Sequence, residues 1–222
     1  LALVARGQSL TYRQLNDYVN RLANAMQALG LRKGETFATL LPNCLELMAS
    51  YWAAARTGLV IVPMSPLLQA GGLASLLLNS DAKAVLIDAS LAELFSSIRA
   101  DLPAIPPQNA IVVGGGEPMT EFRAFAAFIA DASDEAPPDA GLTDADVFNI
   151  MYSSGTTGLP KGIVHTHYVR AMYCTLFAQA WRMTPESIVL HAGSIVFNGA
   201  MLDLMPWIFV GGTYILHDSF SA

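Results

Sequence analysis

The sequence predicts an α/β protein built of mainly parallel sheets covered by helices. Short runs of Val, Ile and Leu alternate along the chain with longer segments whose apolar residues recur every three or four positions. The apolar runs are continuous, as in strands buried on both faces. The segments between them are long enough for right-handed crossover helices. Hydrophobic residues make up 53% of the 222 residues and charged residues only 14%, so much of the chain must lie in a core.

Taken in order, TYRQLNDYVNRLANAMQALG (11–30) reads as a helix. Thr11 and Gln14 make a capping-box pattern. Leu15, Tyr18, Val19, Leu22, Met26 and Leu29 share one face, and Gly30 is a stop. FATLL (37–41) is a strand, and Asn43 with Glu46 opens a second helix that ends near Gly58. LVIVP (59–63), AVLID (84–88) and AIVVG (110–114) are further strands. LASLLLN (73–79) and LAELFSSIR (91–99) are helices between them. The acidic, Pro- and Ala-rich run 131–146 reads as a surface linker with little intrinsic structure. The expected division is a first α/β subdomain over 1–130, the linker, and an incomplete second subdomain over 147–222. In that second part, VFNIMYSS (147–154) is a strand that runs into a loop, and GIVH (162–165) is a short strand after it. Thr166 caps a helix with Val169, Met172, Tyr173, Leu176, Phe177 and Ala180 on one face. SIVLH (187–191) is a strand, 199–210 a helix and TYILH (213–217) a strand. The chain contains no repeat.

A net charge of −6 argues against nucleic acid or an anionic membrane as the main partner. An anionic substrate therefore needs a local positive site. Cys44 and Cys174 lie far apart with no metal-type spacing, so a reducing cytoplasm is the expected setting. Residues 57–80 carry no charge, but Pro63, Pro66, Gly71 and Gly72 interrupt them, so no transmembrane segment is expected. The opening LALVARGQSL has neither a basic leader nor a Met and starts inside an apolar run, which suggests a piece of a longer chain.

The most informative stretch is MYSSGTTGLPKGIVHTH (151–167). Gly155 and Gly158 let the loop turn tightly and present backbone N–H groups to an anion. Ser153, Ser154, Thr156 and Thr157 add hydroxyls, and Lys161 adds a point charge suited to phosphate. The loop follows a buried strand, at the strand end where α/β folds bind ligands. It is not a Walker A loop, because Pro160 precedes the lysine and Gly162 follows it. These features together point to a triphosphate or pyrophosphate site.

YSSGTTGLPKG (152–162) resembles the phosphate loop of the adenylate-forming superfamily: acyl-CoA synthetases, luciferases and nonribosomal adenylation domains. LTYRQLNDYVNRLANAMQALGLRKGE (10–35), YWAAARTGLVIVPMSP (51–66) and FNGAMLDLMPWIFVGGTYIL (197–216) are similar to further segments of that family, in its order. The resemblance implies part of the large N-terminal domain of the adenylate-forming fold. It implies an AMP-forming acyl-CoA ligase that uses ATP, Mg²⁺ and coenzyme A, with a hydrophobic carboxylic acid such as a fatty acid as substrate. Ser153, Ser154, Gly155, Thr156, Thr157, Gly158 and Lys161 would hold the ATP phosphates, with Thr157 also at the metal. Phe197, Asn198 and Gly199 would line the acyl pocket. No complete catalytic set is present. Motifs for adenine, the hinge and the catalytic lysine lie beyond this sequence in the family, so the chain is expected to be an N-terminal fragment that needs a C-terminal domain. The usual aromatic–His pair is absent from GSIVFNGAM (193–201). Asp203 reads as a solvated or capping carboxylate, which favours a plain acid over an amino acid. His165 and His167 read as capping and packing residues, and His191 and His217 as structural ones. Met172, Met201 and Met205 read as core or pocket lining, and Trp52, Trp181 and Trp207 as packing residues. The competing readings are an adenylation domain that loads a carrier protein, an ADP-forming phosphotransferase, and a non-catalytic binding module.

Overall fold

The computed structural model describes residues 1–115, 121–153 and 160–218. It opens with a hairpin, β1 (Leu3–Ala5) and β2 (Gln8–Leu10), turned at Arg6 and Gly7, both with positive φ. Strands of three residues are too short to show periodicity, and the sequence reading has no counterpart for them. Next comes α1 (Tyr12–Ala28) with its capping box complete: Gln14 N donates to Thr11 Oγ1, and Thr11 N donates to Gln14 Oε1 at 2.9 Å. β3 (Thr36–Leu40) leads to α2 (Leu45–Thr57), which stops at Gly58 in the left-handed conformation. A Cβ at Gly58 would lie 2.8 Å from Leu142 and 2.9 Å from Lys33, so the close approach also requires glycine.

The cap of α2 differs from the sequence expectation. Cys44 is the N-cap, its sulfur accepting from Leu47 N. Asn43 is instead drawn away from the helix by three distant backbone groups. Its amide donates to the carbonyls of Gly193 and His217, and its oxygen accepts from Ile195 N at 3.0 Å. Of those groups Ile195 N belongs to a fully buried residue and would otherwise lack a partner.

The chain continues through β4 (Val60–Pro63), α3 (Ala70–Asn79), β5 (Ala84–Asp88), α4 (Ala92–Ile98) and β6 (Ala110–Val113). β7 (Arg123–Ala124) and α5 (Phe125–Ile129) follow, again too short for the periodic signal. Then come β8 (Val147–Ser153), β9 (Lys161–Thr166), α6 (His167–Ala180), β10 (Ile188–His191), α7 (Met201–Val210) and β11 (Thr213–Leu216).

Among the described residues there are two sheets. The larger has the order β7-β6-β5-β3-β4-β8-β9 and is parallel except for β9, which runs antiparallel to β8. The smaller has the order β10-β11-β1-β2. Successive side chains of the larger sheet alternate between two cores. Phe37, Ile61, Ala84, Leu86 and Ile111 face α1 and α2, whereas Ala38, Val62, Val85, Ile87 and Val112 face α3 and α4.

Sheet membership cuts across the expected division at 131–146. β8 adds to β4 of the first part, and β1 pairs with β11 of the second. Backbone pairing groups that the chain order separates are completed by strands from the other side of the linker. The run 131–146 itself is strapped over α1 and the turn at Lys33 that precedes β3. Asn20, Asn24 and Lys33 donate to the carbonyls of Asp134, Ser133 and Gly141, and Lys33 pairs with Asp146 at 2.8 Å.

Helix α6 departs from its expected face. Thr166 caps it, accepting from Val169 N, but its buried residues are Arg170 and Ala178, and Leu176 is 58% exposed. β8 presents Asn149 and Met151 to this helix, and a polar partner selects Arg170 over the neighbouring apolar stripe.

Candidate functional site

In the larger sheet the crossover after β3 passes over one face and the crossover after β4 over the other. The helix residues involved show this: Leu47 and Met48 of α2 belong to one core, Leu73 and Leu77 of α3 to the other. The carboxyl ends of β3 and β4 therefore form a topological switch point, where open α/β sheets leave a crevice. Pro42, Asn43, Ser65 and Pro66 line a cleft of ≈ 360 Å³ there, closed on the far side by Gly193, Phe197 and Asp218. Ser65 and Phe197 also line a neighbouring cleft of ≈ 200 Å³ with Met64, Tyr152, Ser153 and Pro160.

The predicted phosphate loop begins at the rim of this second cleft. Ser153 ends β8, Lys161 starts β9, and the two residues pair directly across the antiparallel ladder. Both are exposed. They form the neck of the predicted loop, whose residues Ser154, Gly155, Thr156, Thr157 and Gly158 lie outside the described residues. Tyr152 anchors the neck to α3 by donating its hydroxyl proton to Asn79 Oδ1 at 2.6 Å. Gly162 allows β9 to lie close to β8, since a Cβ there would come within 3.0 Å of Ile150 and 3.2 Å of Tyr152. Of the expected acyl-pocket residues, Phe197 is 52% exposed and lines both clefts. Asn198 is half-buried and accepts a hydrogen bond from Arg170. Gly199 is exposed, with open space where a side chain would be.

Arg170 was not singled out in the sequence. It is 3% exposed. Its Nε donates to Asn149 Oδ1 at 2.8 Å, its Nη2 donates to Asn198 Oδ1 at 3.0 Å, and its guanidinium lies over the Tyr173 ring. No carboxylate pairs with it among the described residues. Desolvation pulls its pKa down to about 10, so it stays charged at neutral pH. Arg170 Nη1, Asn149 Nδ2 and His165 Nδ1 are buried and lack partners among the described residues. Burial and then the Arg170 charge hold the His165 pKa below its ordinary value. The one available signal was compositional: Arg170 is the single Asp, Glu, Lys or Arg between Lys161 and Arg182.

Asp203 is neither solvated nor a cap. Its Oδ2 lies 2.8 Å from His191 Nδ1, and its Oδ1 accepts from the Tyr214 hydroxyl at 2.9 Å. β10 and β11 supply the two partners, so the carboxylate is used in tying α7 to the smaller sheet. Burial first, and then the Asp203 charge, push the Tyr214 hydroxyl far above its ordinary pKa. Met201, Met205 and Trp207 are core residues, whereas Trp181 is 49% exposed and packs only at the surface, its ring 5.6 Å from that of Phe177. His167 sets its ring edge-on against Phe148.

The mainly parallel sheet, with its crevice beside Ser153 and Pro160, is an α/β domain, and comparison with known proteins gives its family. The AMP-binding enzyme family matches residues 1–222, so the chain belongs to that family. It is 39% identical over 158 residues to the long-chain-fatty-acid–CoA ligase FadD13 of Mycobacterium tuberculosis, covering 71% of this chain and 30% of that protein. It is 34% identical to a 3-hydroxybenzoate–CoA/4-hydroxybenzoate–CoA ligase of Thauera aromatica, covering 97% of this chain and 41% of that protein. The structure superposes on the anthranilate CoA ligase AuaEII, solved with anthranoyl-AMP, with a TM-score of 0.91 and 25% identity, over 99% of this chain and 42% of that one. The chain thus spans well under half the length of these relatives.

Proposed function

We propose that this chain is the phosphate-binding part of an acid–thiol ligase that activates a carboxylic acid with ATP and passes it to coenzyme A. The observation that carries this reading is the pairing of Ser153 with Lys161 at the neck of the Ser-, Thr- and Gly-rich loop, beside a crevice at the switch point of the sheet. The CoA-ligase names of the two relatives support the reaction class.

The reaction is written in two steps. A carboxylate oxygen attacks the α-phosphorus of ATP, the bond to the β-phosphate bridge breaks, and pyrophosphate leaves. The thiol sulfur then attacks the acyl carbon, loses its proton, and AMP departs. Lys161 and the loop, Ser154 and Thr156 included, hold the β- and γ-phosphates and favour charge build-up on pyrophosphate. Mg²⁺ bound to the triphosphate supplies further charge neutralisation, with Thr157 as the proposed protein contact. The described residues contain no group of three or more His, Cys, Asp or Glu that could hold a metal by itself, which fits an ion carried mainly by the nucleotide. Phe197, Asn198 and Gly199 border the acyl site. Two free cysteines suit a reducing cytoplasm. No helix among the described residues is long and apolar enough to cross a membrane.

The test is to resolve nucleotide products in the full-length protein given ATP, Mg²⁺, coenzyme A and a panel of acids. Acid-dependent AMP is expected, and Lys161→Ala is expected to slow adenylation by more than about tenfold. Acid-independent ADP would favour a phosphotransferase. Acid-dependent AMP with no CoA thioester would favour transfer to a carrier protein.

A further inference from the structure

We propose that Arg170 determines specificity by receiving an oxygen acceptor at the far end of the acid substrate, so that the enzyme prefers acids with a second polar terminus over plain hydrocarbon acids. The inference rests on the adenylation reading and specifies the substrate class for the same site.

The argument starts from an incomplete hydrogen-bond inventory. A buried guanidinium is costly unless its charge and its donors are matched. Arg170 has a neutral set of partners, Asn149 and Asn198, and a free Nη1. Asn149, fully buried, has a free Nδ2 beside it. Both orphans are donors. His165, a cross-strand neighbour of Asn149, has a buried Nδ1 that can take either role. Among the described residues the cluster lacks an oxygen acceptor, and a carboxylate would also neutralise the charge.

The position fits a substrate terminus. Asn149, Met151 and Ser153 alternate along β8 and so share one face. Arg170 touches the first two, through Asn149 Oδ1 and Met151 Sδ. Ser153 is at the neck of the phosphate loop. At about 3.3 Å per residue, the Arg170 contacts lie roughly 7–13 Å along the strand from Ser153. That separation suits an acid whose reacting carboxylate is at the loop and whose other end is one aryl ring or one medium-length chain away. Asn198 joins the cluster to the cleft wall, since it accepts from Arg170 and follows Phe197 in the chain. An apolar wall alone would select a hydrophobic acid. A buried cation bonded to Asn198, next to the Phe197 wall, adds a donor that a hydrocarbon terminus leaves unsatisfied, and sites built this way reject the analogue that lacks the polar group.

The experiment measures acid-dependent AMP formation by the full-length protein with matched acids: benzoate against 4-hydroxybenzoate and terephthalate, and hexanoate against adipate. At least one acceptor-bearing acid is expected to exceed its plain partner about tenfold in kcat/KM. The carboxylate and hydroxyl arms show which acceptor is meant. Arg170→Met is expected to reduce that ratio at least about tenfold, with Arg170→Lys between the two. Preference for the plain acid in every pair, or an equal loss on both members in Arg170→Met, would overturn the assignment while leaving adenylation intact. If Arg170→Met does not melt cooperatively, Arg170→Gln and the wild-type ratios decide. If no acid yields AMP, the melting temperature with each acid alone is read instead. A rise given only by the acceptor-bearing acids and lost in Arg170→Lys or Arg170→Gln keeps the Arg170 site and removes the adenylation reading. No rise removes both.

Discussion

Two parts of this molecule pair asparagine with arginine side chains, and they use them differently. Where the strap 131–146 crosses α1, Asn20 donates to the Asp134 carbonyl and accepts from Arg56 Nη1 at 2.6 Å. Asn16 takes the other end of the same guanidinium, and Asn24 binds the carbonyls of Ser133 and Glu135. None of these atoms is left without a partner. Between β8 and α6, Asn149 and Arg170 bind each other but leave two donors open. The first arrangement holds a segment of irregular chain in place of a helix or strand. The second is held in place and still has capacity to bind. The same residue types serve as fastening in one region and as recognition in the other, and the difference lies in which atoms are unpaired.

Removing Asn20 should have the larger effect on stability. Asn20→Leu strips partners from a backbone carbonyl and from Arg56, at a cost of about 1–3 kcal/mol. Urea unfolding should show a lower midpoint with an unchanged slope. Arg170→Met should sharpen the contrast. It removes an uncompensated buried cation but frees Asn149, so the two terms oppose, and stability should change by less than about 1 kcal/mol. A loss as large as that of Asn20→Leu would mean that Arg170 is a fastening residue too.

The smallest expected effect separates the two regions by pH. His165 has a folded pKa below its ordinary 6.5, so below that pH the unfolded chain takes up a proton that the folded chain resists. Stability should therefore fall as pH drops from about 6.5, and Arg170→Met should weaken that fall by removing a neighbouring positive charge. Asp146, held at about 2 by its hydrogen bond from Lys33, gives the strap a different window. Its contribution is present above pH 3.8 and lost as pH falls toward 2. Histidine titration followed by NMR, alongside urea midpoints across both ranges, checks the pair. Coincident loss in one window would contradict the separation.

Features set by near neighbours were legible in the sequence. The Thr11 capping box, the Gly58 stop and the alternating strands of the larger sheet depend on residues a few positions apart, and they stand where the patterns put them. The Ser-, Thr- and Gly-rich motif was recognisable for the same reason, and Ser153 and Pro160, on either side of it, line a sheet crevice. Features set by distant partners were not legible. Asn43 suits a helix cap locally, but its partners are 150 to 174 residues away. Asp203 suits a solvated helix face until His191 and Tyr214 are brought to it from two strands. Arg170 looks like a polar interruption of an apolar helix, and only Asn149 and Asn198 show that it points inward. Strands β1, β2 and β7 were too short to have a period at all.

The central claim is that a carboxylate attacks the α-phosphorus of ATP, and isotope transfer tests it most directly. The full-length protein would be given ATP and an accepted acid labelled with heavy oxygen in its carboxylate, with coenzyme A present, and the products weighed. The account predicts one labelled oxygen in AMP and none in pyrophosphate. Label in inorganic phosphate, with ADP as its companion, would place the attack at the terminal phosphate and contradict it.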